Sequence, residues 1–248
     1  MQTANPVLSV KTFDAFPGFA NPAETMTVSG TVNKTGVLLA CALASAAWTW
    51  GHFSPANPAQ TMPYLIGGSI AGLVLALITT FKMSWAPLTA PLYALAEGLV
   101  LGGLSAMIES RYPGIAIQAV AMTFGTLACM LIAYRAGMIR ATERFKLGVV
   151  AATGAIFLVY MASWLLSLFG FHSFSLLNGN GLIGIGVSVV IVAVAALNLI
   201  LDFDLIESGA QREVPKYMEW YGAFALMVTL VWLYLEILRL LSKLRSRN

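Results

Sequence analysis

The chain has 248 residues, of which 58% are hydrophobic and only 10% are charged. A soluble domain is typically about 45–50% apolar and about 25% charged, so this composition indicates an integral membrane protein embedded in a lipid bilayer. The net charge of +3 is small and dispersed, which argues against nucleic acid as a partner.

The first 25 residues are polar and contain Asp14 and three prolines. They include no apolar core of about 7–15 residues, so they do not resemble a cleavable signal peptide. We expect residues 1–25 to form a flexible tail and residues 26–248 to form a single membrane domain.

Seven apolar segments follow the tail. A helix needs about 20 apolar residues to cross about 30 Å of hydrocarbon, and in lipid only a helix satisfies the backbone polar groups of a single segment. The sequence therefore predicts an all-α, polytopic protein of seven helices. The segments are roughly 36–53, 62–81, 86–108, 115–134, 147–171, 182–201 and 220–238.

The last segment is unusually short. Its uninterrupted apolar run, between Glu219 and Glu236, has 16 residues, which span about 24 Å as a helix. Such a run is shorter than the bilayer. The sequence is compatible with a helix buried among others and with a re-entrant helix.

The distribution of lysine and arginine predicts the orientation, because cytoplasmic connections are enriched in these residues. With a cytoplasmic N-terminus, nine basic residues lie inside and only Arg111 lies in an outer connection. Four basic residues of the C-terminal tail, Arg239, Lys243, Arg245 and Arg247, break this pattern if all seven segments cross. The inside residues are Lys11, Lys34, Lys82, Arg135, Arg140, Arg144, Lys146, Arg212 and Lys216.

Two pairs of glycines have the GxxxG spacing, Gly68 with Gly72 and Gly98 with Gly102. Small residues at this spacing allow membrane helices to approach closely. We expect both pairs to lie at contacts between helices.

Glu97 lies at the centre of the predicted span 86–108, which contains no basic residue. A carboxyl group at this depth is costly unless it faces the bundle interior, is protonated, or both. It either lines a path for ions or protons or is a neutral group that bonds to a neighbouring helix.

Asp202, Asp204 and Glu207 follow directly on the apolar segment 182–201, and no turn residue precedes Ser208 and Gly209. We expect the helix to continue through them. Residues two apart point about 200° apart on a helix, so Asp202 faces away from Asp204, whereas Asp204 and Glu207 share a face. Burial and a second nearby acid both favour the protonated form of a carboxyl group. A solvated acidic helix end is the alternative.

Glu236 is embedded in the apolar sequence of the last segment. It is a candidate for the same ion path or pH sensor. Arg239 follows three residues later, and a local ion pair between the two is the alternative interpretation.

Four motifs in order resemble the Bax inhibitor-1 family, in particular its long, YccA-like bacterial members. They are MTVSGTVNKTG from Met26 to Gly36, AEGLVLG from Ala96 to Gly102, NLILDFD from Asn198 to Asp204, and YLE from Tyr234 to Glu236. The resemblance extends from about residue 26 to the end of the chain and matches the hydropathy profile.

This resemblance implies six helices around a central seventh and a pH-sensitive calcium leak through the membrane. It implies that an aspartate of the sixth helix and an acid of the last helix gate the pore, and by position these are Asp202 and Glu236. The 34 residues between them exceed the family's usual separation, so Asp204 and Glu219 are alternative partners of Asp202. Lys82 is the residue that corresponds to the family's basic latch.

The first functional hypothesis is therefore a calcium leak channel in which protonation of membrane-embedded carboxylates controls the flow of calcium. Calcium prefers oxygen ligands, which Asp202, Asp204 and Glu236 would supply, and no cofactor is expected beyond calcium and protons as transported or regulating ions. The second hypothesis is a non-conducting regulator that binds another membrane protein, such as a membrane-bound protease. No arrangement of a nucleophile and a base is present, so we do not expect an enzyme. The resemblance implies a bacterial inner membrane protein.

Overall fold

The computed structural model describes residues 24–169, 179 and 181–247, and the statements below concern these residues. They form seven α-helices, in agreement with the predicted all-α architecture. In chain order these are α1 (Val28–Gly51), α2 (Met62–Phe81), α3 (Ala86–Arg111), α4 (Ile115–Arg135), α5 (Glu143–Leu168), α6 (Leu182–Gln211) and α7 (Met218–Arg247).

Several helices extend beyond the apolar segments that predicted them. α5 begins at Glu143 because Thr142 caps it, with its hydroxyl accepting a hydrogen bond from the backbone N–H of Phe145 at 3.3 Å. α6 continues ten residues beyond residue 201 to Gln211. The prediction that the helix runs through the acidic cluster is thereby confirmed.

Six of the seven helices, α2 to α7, are long and apolar enough to cross a membrane. α1 is the helix outside this set, and its first two turns carry polar residues from Ser29 to Thr35. The span predicted in this part of the chain began only at residue 36. The structure is thus that of a polytopic membrane protein.

The centre of the bundle is α7, a continuous helix of 30 residues that packs against α1, α3, α4 and α6. Most of its side chains are buried, including Phe224, Leu233 and Ile237. A helix of this length reaches about 45 Å, so α7 is not re-entrant. The short apolar run is tolerated because polar residues at its edges, Glu219 and Glu236, find partners inside the bundle.

The helices α1, α2 and α3 pack closely through the predicted glycines. Gly98 and Gly102 of α3 lie against the backbone of Ala42 and Ala46 in α1, where a Cβ atom would collide. Gly68 of α2 likewise lies against α3. The hydrophobic effect does not drive helices together in lipid, so association depends on van der Waals packing. Because glycine has no side chain, the helix backbones can approach closely enough at these positions to pack in this way.

The two ends of the bundle are fixed by contacts between distant parts of the chain. The segment before α1 pairs with the α6–α7 connection, where Met26 N donates to Val214 O at 2.7 Å and Lys216 N donates to Glu24 O at 2.8 Å. We call this the first end. Lys243, near the end of α7, donates to Gly184 O at 3.1 Å near the start of α6, at the second end. The described part of the chain therefore starts and finishes at opposite ends of the bundle.

Candidate functional site

The two predicted gating acids are both inside the bundle but do not meet. Asp202 is 0% exposed and Glu236 is 2% exposed. Gly222 of α7 lies beside Ile206 of α6, since a Cβ there would be 3.3 Å from Ile206 Cγ1. In an antiparallel pair of helices, this register sets Asp202 level with residue 226 and Glu236 level with residue 192, a separation of about 15 Å along the axis.

The second end gives the same register independently. Lys243 Nζ donates to Ser188 Oγ at 2.8 Å as well as to Gly184 O at 3.1 Å. Both contacts agree with an antiparallel alignment of α6 and α7 in which Gly222 faces Ile206. In this conformation Asp202 and Glu236 therefore occupy different depths.

Glu236 forms a cluster with two other side chains, Tyr160 and Arg239, between α5 and α7. Its carboxylate accepts a hydrogen bond from Tyr160 OH at 2.7 Å and from Arg239 Nη1 at 3.0 Å. Arg239 also donates to the Tyr160 hydroxyl. The structure thus forms the local ion pair with Arg239 that the spacing indicated, and it adds a tyrosine that bridges the two charged groups.

Asp204 and Glu207 share one face of α6, as their spacing predicted, and both line a cavity of about 1000 Å³. Lys146 of α5 forms an ion pair with Asp204 at 2.6 Å. Tyr134 of α4 donates to Glu207 Oε2 at 2.6 Å. The cavity is at the first end, because its lining includes Thr31 of α1 and residues of the α4–α5 connection.

Glu219, an alternative partner for Asp202, has a different set of contacts. It is 0% exposed and accepts hydrogen bonds from the backbone N–H of Thr27 at 2.9 Å and from its hydroxyl at 2.8 Å. Lys216 pairs with it at 2.8 Å, and Lys34 pairs with it as well. Glu219 therefore fastens the start of α1 to the start of α7.

Glu97 is half-buried at the contact between α2 and α3, where its carboxyl group lies against Gly72. Among the described residues it has neither a hydrogen-bond partner nor an ion-pair partner. The neutral, hydrogen-bonded alternative is thus not seen in this conformation. The structure separates Glu97 from the acids of α6 and α7.

Lys82, the candidate latch, lies at the end of α2 with its ammonium group 4.3 Å from the centre of the Trp85 ring. It forms no ion pair within the part of the chain that the structure describes, so in this conformation it does not hold Asp202. Several other carboxylates are paired with basic residues, among them Lys34, Lys146, Lys216 and Arg239.

The candidate calcium ligands Asp202, Asp204 and Glu236 do not form one site. Within residues 24–169, 179 and 181–247, no three acidic, histidine or cysteine side chains are grouped as metal ligands. Asp204 faces the cavity, whereas Asp202 is buried on another side of α6 and Glu236 lies on α7. Any calcium contact in this conformation involves these acids one at a time.

The residues that sequence reasoning missed are the partners of the acids, above all Tyr134, Tyr160 and Lys146. Tyrosines are common in membrane helices, so their presence alone did not indicate a site. Lys146 was used only to predict the orientation of the protein in the membrane. One signal was available, because Lys146, Thr153 and Tyr160 recur every seven residues on the otherwise apolar α5. Such spacing places polar groups on one face of a helix.

Comparison with known proteins agrees with the four motifs. A search of curated proteins and of solved structures finds no match to the chain. A model of the family described as Bax inhibitor 1 like matches residues 5–246, which is nearly the whole chain. The chain therefore belongs to the Bax inhibitor-1-like family of membrane proteins.

Proposed function

We propose that this protein is a calcium leak channel whose conductance responds to pH through its membrane-embedded carboxylates. The observation that carries the proposal is the cavity of about 1000 Å³ at the first end, into which Asp204 and Glu207 project and whose wall also includes Arg135 and Arg140. The carboxylate oxygens on its wall offer the ligand type that calcium prefers.

Because the acids of the cavity already have partners, a cation would bind weakly to one acid after another and would not be held tightly at a single site. Lys146 neutralises Asp204, Glu207 accepts a hydrogen bond from the neutral Tyr134 hydroxyl, and Arg135 and Arg140 also line the cavity, so its wall carries no excess negative charge. Conduction requires binding that is favourable enough for entry and weak enough for exit. Separate carboxylates at several depths meet that requirement better than a closed cage of ligands.

Two other acids support regulation by protons. Asp202 and Glu236 are buried inside the bundle, where a change of charge alters electrostatic contacts with neighbouring helices more strongly than it would at a surface. Protonation removes the negative charge of a carboxylate and weakens its pairing with a base. Such a local change in charge is a common way to shift a protein between two conformations.

The experiment is calcium flux into proteoliposomes that contain the purified protein and a calcium-sensitive dye, measured over a series of pH values. Protein-free liposomes and liposomes with the Asp204→Asn/Glu207→Gln variant are the controls. We expect flux in the wild type that changes with pH and a several-fold smaller flux in the variant. Absence of protein-dependent flux at every pH would refute the proposal.

The alternative is a non-conducting regulator of another membrane protein that binds through the polar N-terminal tail. Nearly all of this tail, residues 1–23, lies outside the described residues. Deleting residues 1–23 distinguishes the two functions, because a leak keeps its calcium flux without the tail whereas a regulator loses binding to its partner. We further propose that the protein resides in a bacterial inner membrane with its N-terminus in the cytoplasm.

A further inference from the structure

The helix α5 is attached to the bundle by a narrow face. Between Glu143 and Ser167 its single buried residue is Val149, at 5% exposure. The large apolar side chains Leu147, Phe157 and Trp164 are exposed and face lipid. α5 packs chiefly against α6, and little apolar surface holds it there.

The attached face of α5 is polar at regular intervals of seven residues. Lys146 pairs with Asp204 of α6 at 2.6 Å, and Thr153 Oγ1 accepts a hydrogen bond from Asn198 Nδ2 of α6 at 2.9 Å. Tyr160 donates to Glu236 of α7 at 2.7 Å. Seven residues make nearly two helical turns, so all three contacts lie on one line along α5. We call these three pairs the polar column.

The polar column runs in register through the membrane. α5 and α6 are antiparallel, and the rise from Asn198 to Asp204, about 9 Å, is close to the rise of about 10.5 Å from Lys146 to Thr153. Glu236 is level with residue 192 of α6, which continues the line. Ser188, bonded to Lys243, extends it to the second end. From Ser188 to Asp204 the column covers about 24 Å of helix, most of the thickness of the hydrocarbon.

Both termini of the column hold a lysine ammonium group among oxygen atoms. At the first end Lys146 lies against Asp204, which also lines the cavity of about 1000 Å³. At the second end Lys243 is 5% exposed and donates to Gly184 O and Ser188 Oγ. An ammonium group surrounded by oxygen ligands occupies the kind of position that a permeating cation would take.

We propose that the polar column between α5, α6 and α7 is the cation path of this protein, closed in the present conformation by Lys146, Arg239, Lys243 and the docking of α5. The inference rests on the proposed calcium leak and names its route. The cavity at the first end is then the vestibule of the path, since Asp204 belongs to both. Separation of α5 from α6 and α7 exposes a line of oxygen-bearing side chains from one end of the bundle to the other.

The test fixes α5 to α6 and measures calcium flux in proteoliposomes. The two native cysteines, Cys41 and Cys129, are first replaced by alanine, and Thr153→Cys and Asn198→Cys are then combined. A short bifunctional thiol reagent that dithiothreitol cleaves joins the new cysteines. We expect flux to fall several-fold on cross-linking and to recover on cleavage, whereas neither single-cysteine variant responds in this way.

The outcomes separate the two proposals. If neither the wild type nor the cysteine-free protein shows flux, the calcium leak itself is refuted, and the path with it. If that protein conducts but cross-linked α5 leaves its flux unchanged, the path is refuted and the leak stands.

A second set of variants tests the path without cysteines. Lys243→Met removes the ammonium group from the second end and should raise calcium flux several-fold, whereas Lys243→Arg retains the charge and should remain close to wild type. Arg245→Met, an exposed residue at the same end, is the matched control. All three must elute as folded protein on size exclusion. Equal flux in Lys243→Met and Arg245→Met would contradict the role of Lys243 as a plug.

Discussion

Asp202 of α6 and Glu236 of α7 are both buried, yet the register of the two helices sets them about 15 Å apart along the bundle axis. Two carboxyl groups share a proton only when they are in close contact, as in coupled acid pairs. In this conformation the two acids therefore do not form such a pair. A gate that uses both must either combine two independent protonations or change the register of α6 and α7.

This separation makes a prediction for calcium flux. Asparagine resembles a protonated aspartic acid, so Asp202→Asn should hold flux near the acid limit of the wild type and flatten its dependence on pH. Glu236→Gln should change the calcium flux by a separate amount. Because the sites are more than about 10 Å apart, the changes in the double mutant should add on a logarithmic scale. A double mutant no different from either single mutant would indicate a coupled pair.

The contacts of Glu219 predict a role in stability. Glu219→Gln removes the charge that Lys34 and Lys216 pair with and should destabilise the protein by about 3 kcal/mol, as for other broken buried pairs. The midpoint of thermal unfolding in detergent measures this. The control is Glu143→Gln, an exposed acid whose loss should cost less than about 1 kcal/mol. Equal midpoints for the two variants would show that the Glu219 cluster contributes little.

The glycine contacts predict a sharp difference between two helix positions. A Cβ at Gly98 would collide with the backbone of Ala42 in α1, so Gly98→Ala should destabilise the bundle by about 1–3 kcal/mol through overpacking. Gly125 of α4 has no atom near the position of a Cβ, and Gly125→Ala should leave stability unchanged or raise it. Thermal unfolding of both variants provides the comparison, and the reverse order would contradict the observed packing of α1 and α3.

The orientation is testable with single cysteines in a background free of Cys41 and Cys129. Cysteine at Ala141, in the basic α4–α5 connection, should be protected in intact cells from a thiol reagent that cannot cross the membrane. Cysteine at Ser246 lies at the opposite end of the bundle and should react readily. Labelling of Ala141→Cys but not of Ser246→Cys would reverse the orientation predicted from the basic residues.

Glu97 offers a test of whether a second route exists. It lies at the α2–α3 contact, away from the polar column, and Glu97→Gln preserves its shape while removing its ability to ionise. If Glu97 lines a path for ions or protons, the variant changes calcium flux or its pH dependence while the protein remains folded. An unchanged flux at every pH would assign Glu97 to packing of α2 against α3.

Local chemistry determined much of the fold. The bounds of α2 matched the apolar segment 62–81, since the bilayer thickness fixes the length of a span. Gly68 and Gly98 were predicted as contacts because a missing side chain shortens the distance between helices. The opposite faces of Asp202 and Asp204 followed from 3.6 residues per turn alone. Each of these properties depends on residues within one helix.

The pairing between helices depended on the tertiary structure. The number of residues between Asp202 and Glu236 does not determine the register of α6 against α7. The distance between the two acids became known only from the packing of Gly222 beside Ile206. For the same reason the partners of the acids, Tyr160 and Lys146, could not be chosen from among many candidates. The sequence by itself determined which groups must be buried in a membrane, and the three-dimensional arrangement decided which of them meet, because side-chain contacts between helices depend on rotation and register rather than on composition.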